Sequence, residues 1–357
     1  MLVGVERQGG NYAFALDVTQ PDKVDAQGIK TAGKDTAPDC SNGGGGSGCS
    51  AGNVVSRNYP EVLWEVTDNS IPRMGQTWSR PTIGRIQVLD AGTIKDKYVA
   101  IFGGGFDPNY RPGDPLILAD QVCPPTCPAR PATSGRSLYI VDIETGKILS
   151  KLSDGDDSGV GTVNLAPMAA PPAVIDYDDN GTLDLAYIGD VNGRMWRVDL
   201  TPDGAASRGI CNSCDTASQS VSGYTPFLLY DASTADGTIP SSQPIEPIFQ
   251  DAAVIYVSGG LLPTLGIAWG TGDRAELARS NTSVQRFYYV LDSGQNTTYH
   301  EGDLLNITPS GGVTPAGSGA GVSNTGFFLD FATLNEKTIS SVLSRRVPGL
   351  ARTRSWN

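Results

Sequence analysis

The stretch Asp176-Tyr177-Asp178-Asp179-Asn180-Gly181-Thr182-Leu183-Asp184-Leu185-Ala186-Tyr187-Ile188-Gly189 joins two patterns. Its first nine residues set side-chain oxygens at alternate positions, Asp176, Asp178 and Asn180, with a further carboxylate at Asp184. Such spacing suits a hard cation. Ca2+ takes about six to eight oxygens at roughly 2.3 to 2.6 Å, and a loop of this pattern offers them from positions 1, 3, 5, 7 (a backbone carbonyl) and 9, with Gly at 6 for the turn. Gly181 is position 6, Thr182 position 7 and Asp184 position 9. Position 12, where a helix-loop-helix calcium hand needs a bidentate Glu, is Tyr187, and Leu183 to Gly189 alternates as a strand does. The reading is a calcium loop inside a β-hairpin, with Asp176, Asp178, Asn180, Thr182 and Asp184 as ligands. The competing reading is an Asp/Asn-rich turn, since these side chains also bond their own backbone. Clustered carboxylates repel one another without a counter-ion, and Mg2+ suits the loop less well because it keeps its waters in a rigid octahedron.

Outward from the loop, the same strand types recur. One alternates and ends in Asp: Tyr12 to Asp17, Leu138 to Asp142, Met195 to Asp199 and Phe287 to Asp292. Ahead of the later copies lies a strand rich in Gly: Tyr98 to Gly103, Leu185 to Asp190 and Gly266 to Gly270. Ahead of those comes a strand marked by Pro: Arg80 to Gly84, Pro172 to Asp176 and Glu246 to Phe249. Three strand types in one order, three times over, are blades, and a radially repeated four-stranded sheet with Gly/aromatic cues is a β-propeller. The fold class is all-β, a quinoprotein-like β-propeller, partial or modified, spanning 1–357, with inserted loops at about 21–56, 107–134 and 201–222. The irregular C-terminal part, 293–357, contains strand patterns at Gly326 to Phe331 and Lys337 to Leu343, read as a further blade. A partial blade opens the chain. Propellers generally close with more blades than these, so the sequence reads as a fragment, a processed product or one half of a split protein.

Composition narrows the function. The chain has 357 residues, 39% hydrophobic, with 44 Gly and 24 Pro, and no apolar run reaches the roughly 20 residues of a membrane-spanning helix. Lys+Arg 26 against Asp+Glu 38 gives a net charge of −12, which repels nucleic acid and anionic lipid. The single histidine, His300, leaves little scope for a catalytic triad and reads as a solvated loop residue. Six cysteines form three close pairs, Cys40 with Cys49, Cys123 with Cys127 and Cys211 with Cys214. They fit disulfides stapling loops in an oxidising compartment, or a zinc site from the last two pairs. Met1 to Glu6 reads as a strand, not a secretory leader, so an export signal would lie upstream.

Other chemistry-bearing residues have structural readings. Asp17, Asp142, Asp199 and Asp292 sit just after strands and are expected to accept turn or inter-blade hydrogen bonds. Trp64, Trp78, Trp196 and Trp269 are expected to pack blades, and the acidic run Ser153 to Gly159 to be a solvated loop. Lys147 and Arg194 show no phosphate-loop context. No catalytic residue is assigned.

Several runs together resemble a known family. Gly9 to Thr19, Leu63-Trp64-Glu65, Thr77-Trp78-Ser79-Arg80-Pro81, Val99 to Gly103, Ala170 to Asp184 and Gly189 to Leu200 are similar, in order, to the propeller domain of PilY/PilC-type type IV pilus tip proteins. The resemblance implies an extracellular, non-enzymatic protein, exported through the periplasm, that joins minor pilins at the pilus tip. It also implies roles in pilus assembly, extension-retraction balance and adhesion to host or abiotic surfaces, with Ca2+ at Asp176, Asp178, Asn180, Thr182 and Asp184. The alternative is a quinoprotein-type dehydrogenase, whose propeller has related repeats such as Val141-Asp142-Ile143-Glu144-Thr145-Gly146. Such an enzyme holds a quinone and Ca2+ at the propeller axis, whereas this calcium loop lies in one blade hairpin.

Overall fold

The computed structural model describes residues 1–18, 23–24, 30–31, 60–69, 73–90, 93–108, 134–153, 165–177, 179–200, 226–232, 246–257, 264–275, 277, 284–294, 296–309, 325–333 and 336–342. All six cysteines, Asp178 and residues 154–159 of the second acidic run lie outside them, as does almost all of the expected loops 21–56, 107–134 and 201–222.

The chain folds into four consecutive sheets, antiparallel but for the parallel β17–β18 pair, as the propeller reading expects. The first contains β1 (Leu2–Val5) and β2 (Tyr12–Asp17) and, after a small hairpin of β3 (Lys23–Val24) and β4 (Lys30–Thr31), β5 (Glu61–Thr67), in the order β1-β2-β5. The second is β6 (Thr82–Asp90), β7 (Thr93–Gly103), β8 (Ser137–Asp142) and β9 (Ile148–Ser153), each paired with the next. The third repeats that order with β10 (Ala173–Ile175), β11 (Leu185–Gly189), β12 (Met195–Asp199) and β13 (Phe227–Tyr230). The fourth has β14 (Ala253–Val257), β15 (Thr264–Gly270), β16 (Arg286–Asp292), β17 (Leu305–Asn306) and β18 (Gly326–Asp330), in the order β14-β15-β16-β18-β17. The helical element among the described residues is one 3-10 turn, Glu301–Asp303, and half-buried His300 precedes it, its backbone N–H donating to Asp303 Oδ2 at 2.8 Å.

Side-chain alternation shows why the sheets stack. Successive strand residues point to opposite faces. In β7, Val99 and Ile101 join the core shared with the third sheet, whereas Ala100 and Phe102 join the core shared with the first. In β8, Leu138 and Ile140 go one way, Tyr139 and Val141 the other. The second sheet is therefore buried on both faces, and every residue of β8 is buried. Continuously apolar strands are what a sheet sandwiched between two others requires.

Glycine closes this stacking at one end. Gly103, Gly189 and Gly270 end β7, β11 and β15. A Cβ on Gly103 would stand 2.2 Å from the Met168 carbonyl oxygen, on Gly189 2.3 Å from Ile248 Cγ2, and on Gly270 2.1 Å from Thr338 Oγ1. Each glycine thus admits the chain that leads towards the next sheet.

This geometry corrects three sequence expectations. Glu246 to Phe249, expected as a strand, is an irregular buried segment, and the strand it leads into begins at Ala253. Its Pro-marked sequence serves the crossing between sheets: the Ile248 N–H donates to Asp190 O (3.1 Å) and Pro247 O accepts from Gly272 N (2.8 Å). Lys337 to Leu343, also expected as a strand, is irregular over 336–342, held against the end of β15 by Thr338 N donating to Thr271 O at 3.0 Å. Gly326–Asp330 belongs to no further blade; it pairs with β16 as an outer strand of the fourth sheet.

Candidate metal centre

The expected calcium loop connects β10 to β11, two paired strands of one sheet. Its shape comes from its own side chains. Asp176 Oδ1 accepts from Asn180 N (3.0 Å) and Asp176 Oδ2 from Gly181 N (2.6 Å). Asn180 Oδ1 accepts from Thr182 N (2.7 Å) and from the Thr182 hydroxyl. Asp184 Oδ2 accepts from Tyr177 N at 2.7 Å, and Asp184 N donates to Ile175 O at 2.9 Å. The end of the loop is thereby tied to its start, and the start to its middle. The sharp reversal needs left-handed backbone at Asp179 (φ 65°) and Gly181 (φ 88°), conformations that Asp tolerates and Gly adopts freely.

Four of the five expected ligand residues, Asp176, Asn180, Thr182 and Asp184, are thus gathered in one closed loop, and Asp178 lies outside the described residues. Thr182 and Asp184 are 4% and 7% exposed. Among the described residues no group of three or more His, Cys, Asp or Glu side chains is placed to hold a metal. The expected set has a different chemistry, mixing carboxylates with an amide and a backbone carbonyl. Each carboxylate oxygen has two lone pairs, so an oxygen that accepts a backbone N–H retains one for a hard cation. The carboxylate donors therefore fit Ca2+, while Asn180 Oδ1, which accepts twice from Thr182, joins them only once the Thr182 hydroxyl turns away.

Neighbouring sheets hold the loop from both sides. From the second sheet, Arg85 Nε donates to Gly181 O (3.1 Å) and Leu183 N donates to Arg85 O (2.7 Å). Gly84 lies against Leu183, whose Cδ1 would be 2.2 Å from a Cβ there. From the fourth sheet, the Tyr256 hydroxyl donates to Asp176 O at 2.7 Å, and its ring stacks on Tyr177 at 6.5 Å. Sequence reasoning missed Arg85 and Tyr256. They stand 96 and 80 residues from their partners, and no local spacing marks them.

The repeated aspartates serve as acceptors where their partners are resolved. Asp142 caps its own turn, accepting from Glu144 N (2.9 Å) and Thr145 N (3.2 Å), and pairs with Lys97 (3.0 Å). Although burial pushes its carboxyl up, the Lys97 and backbone hydrogen bonds prevail and hold it below the usual carboxylate range. Asp292 bridges sheets, accepting from Tyr187 Oη (2.8 Å) and Arg197 Nη1 (2.7 Å). Trp64, Trp196 and Trp269 are buried, as expected of packing residues, and Trp78 is half-buried. Arg194 pairs with buried Asp190 at 2.9 Å.

The sequence model of the PilY1 beta-propeller domain matches residues 131–263, a span that includes β8 to β14 and the whole candidate loop. Over that span the chain is similar to PilY1 propellers. Type IV pilus biogenesis factor PilY1 of Pseudomonas aeruginosa strain PAO1 is 27% identical over 200 residues, 56% of this chain and 11% of that protein. A PilY1 homolog of Xylella fastidiosa strain Temecula1, also named a type IV pilus biogenesis factor, is 25% identical over 210 residues, 56% of this chain and 10% of that one. The chain therefore matches about a tenth of the length of these relatives. The crystal structure of the Pseudomonas aeruginosa PilY1 C-terminal domain superposes with a TM-score of 0.54 at 21% identity, covering 96% of this chain and 61% of that one, so the fold is shared.

Proposed function

We propose that this chain is the propeller part of a type IV pilus biogenesis factor, acting without catalysis, with Ca2+ held by Asp176, Asp178, Asn180, Thr182 and Asp184 as a structural brace. The observation that carries the reading is the PilY1 propeller match, which falls on the sheet that carries the oxygen-rich loop. The relatives are named as biogenesis factors, which supports a role in assembly over the quinoprotein reading. Bound Ca2+ supplies positive charge among the carboxylates. The loop residues then fix the β10–β11 connection, while Arg85 and Tyr256 pass that rigidity to the sheets on either side.

The proposed setting is the extracellular pilus tip, with minor pilins as partners and contributions to extension-retraction balance and surface adhesion. Tagged chain co-expressed with minor pilins of its host and purified in calcium is expected to retain them, and to release them in chelator. Absence of pilins in both conditions, with the chain folded, contradicts the pilus role. Retention in both leaves the pilus role standing and contradicts the brace.

A further inference from the structure

The end of the sheets opposite the calcium loop carries a second arrangement. There Phe106, Val191 and Ala275 stand in the segments that follow β7, β11 and β15, and Trp78 and Phe249 stand in those that lead to β6 and β14. They pack into a small apolar cluster of their own. Trp78 meets Phe249 edge-on at 5.9 Å, and Phe249 meets Phe106 at 5.5 Å. Segments that connect the first, second, third and fourth sheets therefore converge at this end.

Two arginines flank that cluster. Arg7 Cζ lies 6.0 Å from the centre of the half-buried Trp78 ring, within cation-π range. Arg274 directly precedes Ala275 and is half-buried. Burial, and next the charge of Arg7, hold its guanidinium below its usual value. Arg194, Arg197 and Arg286 are each ion-paired in the interior. Among the described residues neither Arg7 nor Arg274 has such a pair, in a chain with 38 acidic residues against 26 basic. Asp273 and Asp107, beside them in these turns, accept backbone N–H groups of Ala275 (2.9 Å) and Ser134 (3.4 Å). Arg7 also has a left-handed backbone, φ 55°, a conformation that costs a long side chain energy and tends to persist at binding sites.

We propose that Arg7, Arg274 and Trp78 form a recognition site for a carboxylate presented by a peptide segment of a protein partner. The guanidinium forks take the carboxylate oxygens, and the indole face takes the aliphatic stem behind them. A peptide carboxylate suits the site better than a polyphosphate or nucleic acid, which the net charge of −12 repels. This site is separate from the calcium loop and does not depend on it.

The test is calorimetric titration of the whole, calcium-saturated chain with an acetylated, amidated tetraglutamate, its tetraglutamine counterpart, a tetraglycine with a free C-terminus, and inorganic phosphate. Binding is expected for tetraglutamate, if a side-chain carboxylate is the group read, or for tetraglycine, if a chain terminus is. The Arg274→Gln variant is expected to lose at least tenfold in affinity, a charge-assisted pair being removed, while Arg80→Gln, whose arginine pairs with Asp251 at 3.3 Å, retains it. Thermal stability of Arg274→Gln is expected to be unchanged or higher, since a half-buried cation is relieved; a purely structural arginine would lower it. Binding of neither carboxylate peptide, equal binding of tetraglutamine, tighter binding of phosphate, or an Arg274→Gln variant that binds as the unmodified chain does would each overturn the proposal.

Discussion

The hydroxyl of Tyr187, in β11, donates to Asp292 Oδ2, at the end of β16, across 2.8 Å of buried interface between the third and fourth sheets. Tyr187 occupies the position that a calcium hand would fill with its bidentate Glu. Here it reaches away from the loop to the carboxylate that also pairs with Arg197 and accepts from Gly294 N (2.8 Å). Burial, then the Asp292 charge, keep the phenol well above its ordinary value, so it remains a donor.

Tyr187→Phe removes this bond and leaves Asp292 its other partners, so a loss of about 1.5 to 3 kcal/mol is expected, as for hydrogen bonds to charged groups. Asp292→Ala removes the carboxylate of a buried ion pair with Arg197, which keeps its neutral partner Asn296 Oδ1 (2.8 Å), and should cost more, about 3 to 5 kcal/mol. Urea unfolding of the two variants checks the order.

Gly103→Ala places a methyl 2.2 Å from the Met168 carbonyl, a backbone atom that cannot rotate away. Overpacking of this kind costs about 1 to 3 kcal/mol. Gly302→Ala, with nothing within 4 Å of the new atom, should stay within about 0.5 kcal/mol. Thermal midpoints separate the two.

The fourth sheet should show a pH dependence of its own. Arg286 draws Glu246, Glu301 and Asp330 around it, and the Tyr288 hydroxyl bonds Glu246. Burial, opposed by Arg286 and Tyr288, nevertheless pushes Glu246 up from 4.5 to about 7. A carboxyl whose folded pKa is raised binds its proton more tightly in the folded state, so its contribution to stability falls as pH rises from about 4.5 to about 7. A shift of this size corresponds to roughly 3 kcal/mol. The stability difference between the unmodified chain and Glu246→Gln, followed by urea unfolding across that range, should fall in that direction.

The repeat was legible because alternation and terminal glycines are local. Gly103, Gly189 and Gly270 announced themselves as a pattern, although their reason, the approach of Met168, Ile248 and Thr338, appears only in three dimensions. Glu246 to Phe249 misled because proline and apolar residues mark a buried crossing as readily as a strand, and Lys337 to Leu343 because its β-branched residues read as a strand although the segment lies at the surface, with Ile339 exposed. In the candidate site, the loop and its reversal at Gly181 could be read from spacing. The supports from Arg85 and Tyr256 could not, since they come from other sheets.

Tyr256→Phe removes the hydroxyl that holds Asp176 O from the fourth sheet. The chain should stay folded but bind Ca2+ up to about tenfold more weakly, the equivalent of a hydrogen bond of about 0.5 to 1.5 kcal/mol. Calorimetry against the unmodified chain measures it.

The central claim, that this loop is a calcium brace, is tested most directly by calorimetric titration of Ca2+ into folded, chelator-stripped chain, with the thermal midpoint followed alongside. A calcium brace gives a single-site isotherm, a midpoint that rises with Ca2+ as linkage requires, and at least a tenfold loss of affinity in Asp178→Asn and Asp184→Asn. Folded chain that gives no binding heat and no shift in midpoint would contradict it.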